Sequence, residues 1–450
     1  MAADHRGGGS DELGSLLRVH QMLHGFEPCG LRASGQAHAS GWHTRSRMTS
    51  PPVPAASIRT DTTVTLLASA AFFSGAAMRV CDSLLPRLAG DFGMTPGAAG
   101  AVIIGFSVAY GLMQLAFGPL GDRYGKARLM CAAVFACAAG ALASALASGF
   151  GLLVAARVGW GMAAAGVIPL AMAWIGDTVA YENRQATLAR FLTGTLSGMM
   201  AGQLAGGLFA DSAAGWRGAF FTLAAGYLVV AVLMLARICS APAPVVALGR
   251  GGPNHLQQLF TVLRVPWARV VLASALAEGV FMLGPLAYLP AYLHQRFGLT
   301  LTTASALIAL YAVGGLAYAV SARHIVRRYG ERRMALAGGW VMGAGFLAWL
   351  VLPLWQLAGP VALLVGFGTY LYHATLQTHA TQMVPSQRGT SVALFAFSLF
   401  VGQAIGVTVA GFLFDHVGPT PLLLLPALAL PLAAWSFARA LRRRPPVAVT

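Results

Sequence analysis

The chain has 450 residues, of which 57% are hydrophobic and only 10% charged, and its mean hydropathy is +0.68. That balance excludes an ordinary soluble domain and places the protein in the membrane class. The net charge of +16 does not signal nucleic acid, because the arginines are scattered between apolar runs and are not gathered on one aromatic-studded face.

Residues 1 to about 60 are polar, rich in Gly, Ser and His, and hold no apolar stretch of the ~7–15 residues that a cleavable signal peptide needs. They read as a disordered cytoplasmic tail, with Met48 as an alternative start. From residue 62 onward, apolar segments of about 20 residues, the length that crosses ~30 Å of hydrocarbon as a helix, recur with short punctuation. They fall near 62–85, 98–119, 129–148, 151–176, 188–210, 218–237, 268–293, 301–321, 335–353, 358–384, 390–413 and 418–438. Twelve spans predict an all-α membrane protein of two six-helix bundles, 61–238 and 267–438. Between them, 239–266 reads as a linker, with a short amphipathic helix near "HLQQLFTVLR" lying at the membrane surface. Residues 439–450 read as a basic tail.

The cations set the orientation. With a cytoplasmic N-terminus, the inside loops and the C-terminal end hold 19 Lys and Arg, against three outside at Arg87, Arg217 and Arg296. The positive-inside rule therefore puts both termini in the cytoplasm.

The two halves repeat each other. "FGMT" at 92–95 returns as "FGLT" at 297–300, and "RYG" at 123–125 returns at 328–330, both at an offset of 205. Gly198, Gly202, Gly207 and Asp211 return as Gly402, Gly406, Gly411 and Asp415 at an offset of 204. Parallel six-span repeats of this kind place a binding site near the bilayer midplane, between halves that rock against each other.

Between spans 2 and 3 stands "GPLGDRYGKAR", 118–128. A phosphate-binding P-loop is excluded, since Leu120 stands where its first Gly belongs and Ala127 where its Ser or Thr belongs. The stretch resembles the G-x-L-a-D-R-x-G-R/K-R/K signature of the major facilitator superfamily, carried here by Gly118, Gly121, Asp122, Arg123, Gly125, Lys126 and Arg128. "RVGWGMAAAG" (157–166) is similar to that family's span 4 element. "GMMAGQLAGG" (198–207) resembles its antiporter motif, with Gln203 in place of Pro, and "GWRGAFF" (215–221) looks like the entry to span 6 of its exporters. The resemblance covers about 62–438. It implies alternating access and, in the drug and sugar exporter branch, exchange for protons. It also implies that Asp122 docks on the positive N-terminal end of span 11, near Arg388 and Gly389, and holds the outward-facing state. In the second-half copy, "ARHIVRRYGERR" (322–333), Arg327 takes the place of Asp122, so only the first half carries an acidic latch.

A charge at membrane depth costs a few kcal/mol, so each needs a partner or a role. Arg79 and Asp82 lie three residues apart on one face of span 1 and serve either as a structural ion pair or in coupling. Glu278 lies about eleven residues, ~16 Å, into span 7, with no cation within a helical turn. A carboxyl buried alone is a natural proton carrier, although substrate contact and a neutral structural role stand beside that reading. Arg157 matches the span 4 arginine that the resemblance links to proton transfer, and otherwise pairs with Asp82 or snorkels outward.

Span 10 presents Tyr370, His373, Gln377 and Thr381 on one face, and span 2 presents Ser107, Tyr110 and Gln114. Both stripes line a substrate cavity or hydrogen-bond to a neighbouring helix. Gly198, Gly202, Gly206 and Gly207 on span 5 and Gly402, Gly406 and Gly411 on span 11 predict close helix packing.

Five cysteines show no metal-binding spacing and read as free thiols; no cofactor, metal or ATP-binding motif is present. The sequence thus predicts a monomeric, non-enzymatic, proton-linked exporter of a drug, sugar or related metabolite in a bacterial inner membrane. Its expected partners are a small-molecule substrate, protons and the lipid bilayer, with no nucleic acid. An importing symporter or facilitator is the alternative, and a polytopic enzyme or receptor a remote one.

Overall fold

The computed structural model describes residues 55–239 and 255–443. The expected tail before residue 55, linker residues 240–254 and residues 444–450 lie outside the described residues.

Among the described residues there is no strand. The first half comprises α1 (Ala55–Phe92), α2 (Pro96–Tyr124), α3 (Lys126–Ala145), α4 (Phe150–Thr178), α5 (Tyr181–Asp211) and α6 (Gly215–Arg237). After the linker helix His255–Arg264 come α7 (Pro266–Phe297), α8 (301–329), α9 (331–350), α10 (Trp355–Ala380), α11 (Pro385–His416) and α12 (Pro419–Arg443). By length and apolarity alone, ten helical runs among the described residues qualify as spans. Two more emerge for physical reasons. Gly330 leaves helical geometry (φ 70°, ψ 163°) and divides the run Leu301–Leu350 into α8 and α9. The apolar part of α5 holds five glycines (194, 198, 202, 206 and 207) together with Thr193, Thr195, Ser197 and Gln203, which keep its hydropathy below that of the other spans. The first helix also opens earlier than expected, at Ala55, since "AASI" after Pro54 contains no helix breaker.

The sequence repeat is a repeat of backbone hinges. Gly93 and Gly298 turn at φ 63° and 65°, and Gly125 and Gly330 at φ 86° and 70°, a region where a Cβ is strained and glycine is not. Just after the first pair of hinges, Thr95 and Thr300 accept hydrogen bonds from Ala98 N and Thr303 N and start α2 and α8 as side-chain N-caps.

Glycine spacing sets how closely the helices approach. A Cβ on Gly198, Gly202 or Gly206 of α5 would collide with the α1 backbone at Phe72, Ala76 and Val80. Gly402 and Gly406 of α11 lie in the same way against Leu276 and Val280 of α7. Gly207 and Gly411 differ: they face Ser305 of α8 and Gly97 of α2, in the opposite halves. The halves therefore meet along α5 with α8 and α2 with α11.

Cys81 and Cys137 are buried free thiols, as expected, but Cys131 is disulfide-bonded, which corrects the reading of free thiols throughout.

Candidate functional site

Glu278 ends the regular first part of α7. The next five residues, Gly279–Leu283, are π-helical, because Pro285 brings no N–H to the ladder and the backbone widens ahead of it. The Glu278 side chain is 1% exposed, and its two carboxyl oxygens lie 3.0 and 3.1 Å from Nδ1 of His373 on α10. The expectation of an isolated carboxyl is thus corrected: its partner sits 95 residues away on another helix. His373 is 22% exposed, so the imidazole is the more accessible member of the pair. Either Nδ1–H donates to the carboxylate or the carboxyl O–H donates to Nδ1, and the two arrangements differ by the position of one proton.

On α1, Arg79 Nη1 lies 3.0 Å from Asp82 Oδ2, with both side chains buried. Arg79 also lines a cavity of ≈ 20 Å³ with Gln203, Leu286 and Tyr311, which come from both halves. Asp82 Oδ1 and Arg157 Nη1 have no hydrogen-bond partner among the described residues. Arg157 neither pairs with Asp82 nor snorkels outward, and both parts of that expectation are corrected. Its guanidinium, 1% exposed, sits 4.1 Å from the Phe106 ring centroid and 4.8 Å from that of Trp160, and donates to Ala77 O and Val102 O. Aromatic faces and carbonyls supply in a dry interior the negative potential that water would supply outside.

The two polar stripes have different surroundings. On α10, Tyr370 and His373 are half-buried while Gln377 and Thr381 are exposed, so the face runs from the buried pair to the surface at the arginine-rich end. On α2, Ser107 and Tyr110 are buried, and the Tyr110 ring lies 4.3 Å from that of Phe400 on α11. Gln114 donates to Ala165 O and reaches a cavity. Gln203, where the antiporter motif has Pro, donates to Ser83 Oγ at 2.7 Å and ties α5 to α1.

The "GPLGDRYGKAR" turn lies at the arginine-rich end of the molecule. Lys126 Nζ reaches Asp177 Oδ2, at the end of α4, at 2.5 Å, and Gly121 accommodates Leu170, which a Cβ would displace. Arg123 lies over the ring of Tyr124, and Arg128 is exposed. Asp122 makes no hydrogen bond or ion pair with α11 among the described residues. It shares with Gly118, Arg388 and Gly389 the lining of a cavity of ≈ 520 Å³, which also takes in Gln258 and Leu259 of the linker helix. Thr390 Oγ1 donates to Gln258 Oε1 at 3.1 Å and holds that helix to the start of α11.

At the far end the halves are joined. Asp415, at the end of α11, accepts from Thr95 Oγ1 at 2.5 Å and Gly97 N at 2.9 Å, at the start of α2. Asp211, at the end of α5, accepts from Leu301 N at 3.2 Å and from Thr302 N and Oγ1 at 2.7 Å each, at the start of α8. Each carboxylate meets the positive end of a helix from the other half. The sequence marked both aspartates as members of the repeat but gave them no role. The signal that would have found them is the pairing of a repeated terminal Asp with a repeated Thr cap.

The Major Facilitator Superfamily profile matches residues 67–385 and 297–450. An MFS-type transporter of Bacillus subtilis (strain 168), YceJ, is 24% identical over 354 residues, covering 78% of this chain and 88% of that protein. An MFS-type efflux pump of Mycolicibacterium smegmatis is 27% identical over 338 residues, covering 70% and 74%. Among solved structures, that of the nucleoside transporter NupG superposes with a TM-score of 0.68 at 12% identity, covering 85% of this chain and 100% of that one.

Proposed function

The chain belongs to the Major Facilitator Superfamily, a family of transporters and not of enzymes, and from that premise we propose that it exports a small molecule in exchange for protons. The observation that carries the coupling reading is the Glu278–His373 pair between α7 and α10, at the buried end of a polar face that becomes exposed toward the arginine-rich end. A proton entering through His373 neutralises Glu278, and its departure restores a charge that a dry site tolerates only beside its partner. The basic end is taken as cytoplasmic, from the distribution of Lys and Arg.

On this reading the molecule stands with its outer gate shut by Asp211 and Asp415 and its cytoplasmic side parted between α2 and α11. Asp122 then reaches the N-terminal end of α11 in the other half of the cycle. On the same reading Tyr370, His373, Gln377, Gln114 and Arg79 face the route, and they suit a substrate with polar and aromatic or aliphatic parts. The efflux pump relative favours export, and the bacterial relatives favour an inner membrane.

The test is transport in proteoliposomes. A thermal-shift screen supplies the substrate, since a true ligand stabilises the folded protein by mass action. Glu278→Gln should abolish accumulation driven by a pH gradient while counterflow of labelled substrate persists, because a permanently neutral carboxyl permits exchange without net proton movement. Full gradient-driven transport by the variant would defeat the proposal. Reversing the gradient separates the exporter from an importing symporter.

A further inference from the structure

The arginine-rich end carries a second pocket that the transport reading does not use. Between the start of α9 and the end of α12, a cavity of ≈ 290 Å³ is lined by Arg332, Leu336, Trp435, Ala438, Arg439 and Arg442. No hydrogen bond or ion pair holds any of these three guanidinium groups among the described residues. Glu331, the carboxylate next to Arg332, points elsewhere: its Oε2 lies 3.1 Å from Nε2 of His379 on α10. Arg439 lies over the ring of Trp435, 5.3 Å from its centroid.

The pocket tops an apolar groove. Below the arginines, α9 and α12 pack through Gly339 and Gly343, which meet Ala434, Pro431 and Ala427. Large side chains flank that contact: Trp340 is 64% exposed, and Leu432 and Leu428 are 63% and 66% exposed. In sequence order α12 presents Leu428, Leu432, Trp435, Arg439 and Arg442 at helical spacing, so one face runs from hydrocarbon-facing to basic.

The geometry points to a bound anionic phospholipid of the cytoplasmic leaflet. Its phosphodiester is held by Arg332, Arg439 and Arg442, and its acyl chains lie against Trp340, Leu432 and Leu428. Charge complementarity selects the occupant: three guanidinium forks with no carboxylate partner among the described residues converge on a space of headgroup size at the membrane boundary, and a phosphate offers the matched acceptors. Topology alone accounts less well for the site, because cations that merely orient a loop have no reason to gather from two helices around one cavity.

The experiment measures lipid retention on the intact purified protein by native mass spectrometry, together with thermal stability in bilayers of phosphatidylcholine with and without phosphatidylglycerol. The protein should retain phosphatidylglycerol in preference to phosphatidylcholine, and phosphatidylglycerol should raise its melting temperature. Replacing all three arginines by lysine conserves the charge and hence the topology but removes the fork geometry; retention should fall about tenfold. A control set, Arg323→Gln with Arg327→Gln and Arg328→Gln, removes three neighbouring cations that do not line the pocket and should leave retention intact. Equal retention by the lysine variant, equal loss in the control set, or no preference for the anionic lipid would each overturn the assignment. Stabilisation by inorganic phosphate alone, to the same extent as by the lipid, would also overturn it in favour of a free-phosphate site.

Discussion

The Glu278 carboxyl, almost fully buried, lies 3.0 Å from an imidazole that is 22% exposed, so each side chain satisfies the other. Removing one partner leaves a buried polar group without its hydrogen bond, whereas removing both leaves an apolar contact. His373→Leu should therefore destabilise the protein by about 2 kcal/mol, and Glu278→Leu combined with His373→Leu by less than His373→Leu alone. Thermal unfolding in detergent checks the order, and additive losses would show that the two side chains do not interact. The sequence identified both residues yet could not pair them. Helical periodicity tells which face of α7 carries Glu278 and which face of α10 carries His373, but not how two helices 95 residues apart are turned toward each other. Arg157 was misread for a related reason: a partner made of aromatic faces and carbonyl oxygens has no charge to search for in the sequence.

At the level of helices, two sets of glycines serve two different contacts. Gly202 lies inside the first bundle, where a Cβ would come within 2.8 Å of the Ala76 carbonyl carbon. Both helices there are fixed, so Gly202→Val should collapse the yield of monodisperse protein. Gly207 faces across the halves, where a Cβ would approach Ser305 Cβ at 2.6 Å and Leu301 O at 2.7 Å. On the proposed cycle, in which that contact breaks and re-forms, Gly207→Ala should leave the yield near that of the native chain but reduce transport several-fold, by disfavouring closure at this end. Size-exclusion profiles and transport rates measured side by side decide the matter; equal yields would remove the distinction. The packing of these glycines was legible from their spacing, as were the helical spans, since both follow from local composition. The division of labour was not. It depends on which neighbour each glycine meets, and one residue of register separates Gly206, against α1, from Gly207, against α8.

For the molecule as a whole, the two ends must act in opposition if access alternates. Asp211 and Asp415 stabilise the state closed at the far end, each by about 0.5–2 kcal/mol given their exposure and their position at helix N-termini. Asp122 makes no hydrogen bond or ion pair with α11 in that state among the described residues, and a cavity of ≈ 520 Å³ lies between the α2 and α11 segments. Replacing both terminal aspartates by asparagine should therefore move the population toward the opposite state by about tenfold or more, and the cavity between α2 and α11 should close. Leu115 and Ala393 line that cavity from its two sides. In a cysteine-free background, Leu115→Cys with Ala393→Cys gives a crosslinking rate that reads the closure directly. Asp211→Asn with Asp415→Asn should raise the rate about tenfold, and adding Asp122→Asn should bring it back toward the starting value, since the closed cavity then loses its attraction to the α11 N-terminus. A rate unmoved by the two outer substitutions would mean that the ends are not coupled. A rate raised by them but indifferent to Asp122 would mean that they are coupled through packing alone, with the acidic turn playing no part in holding the second state.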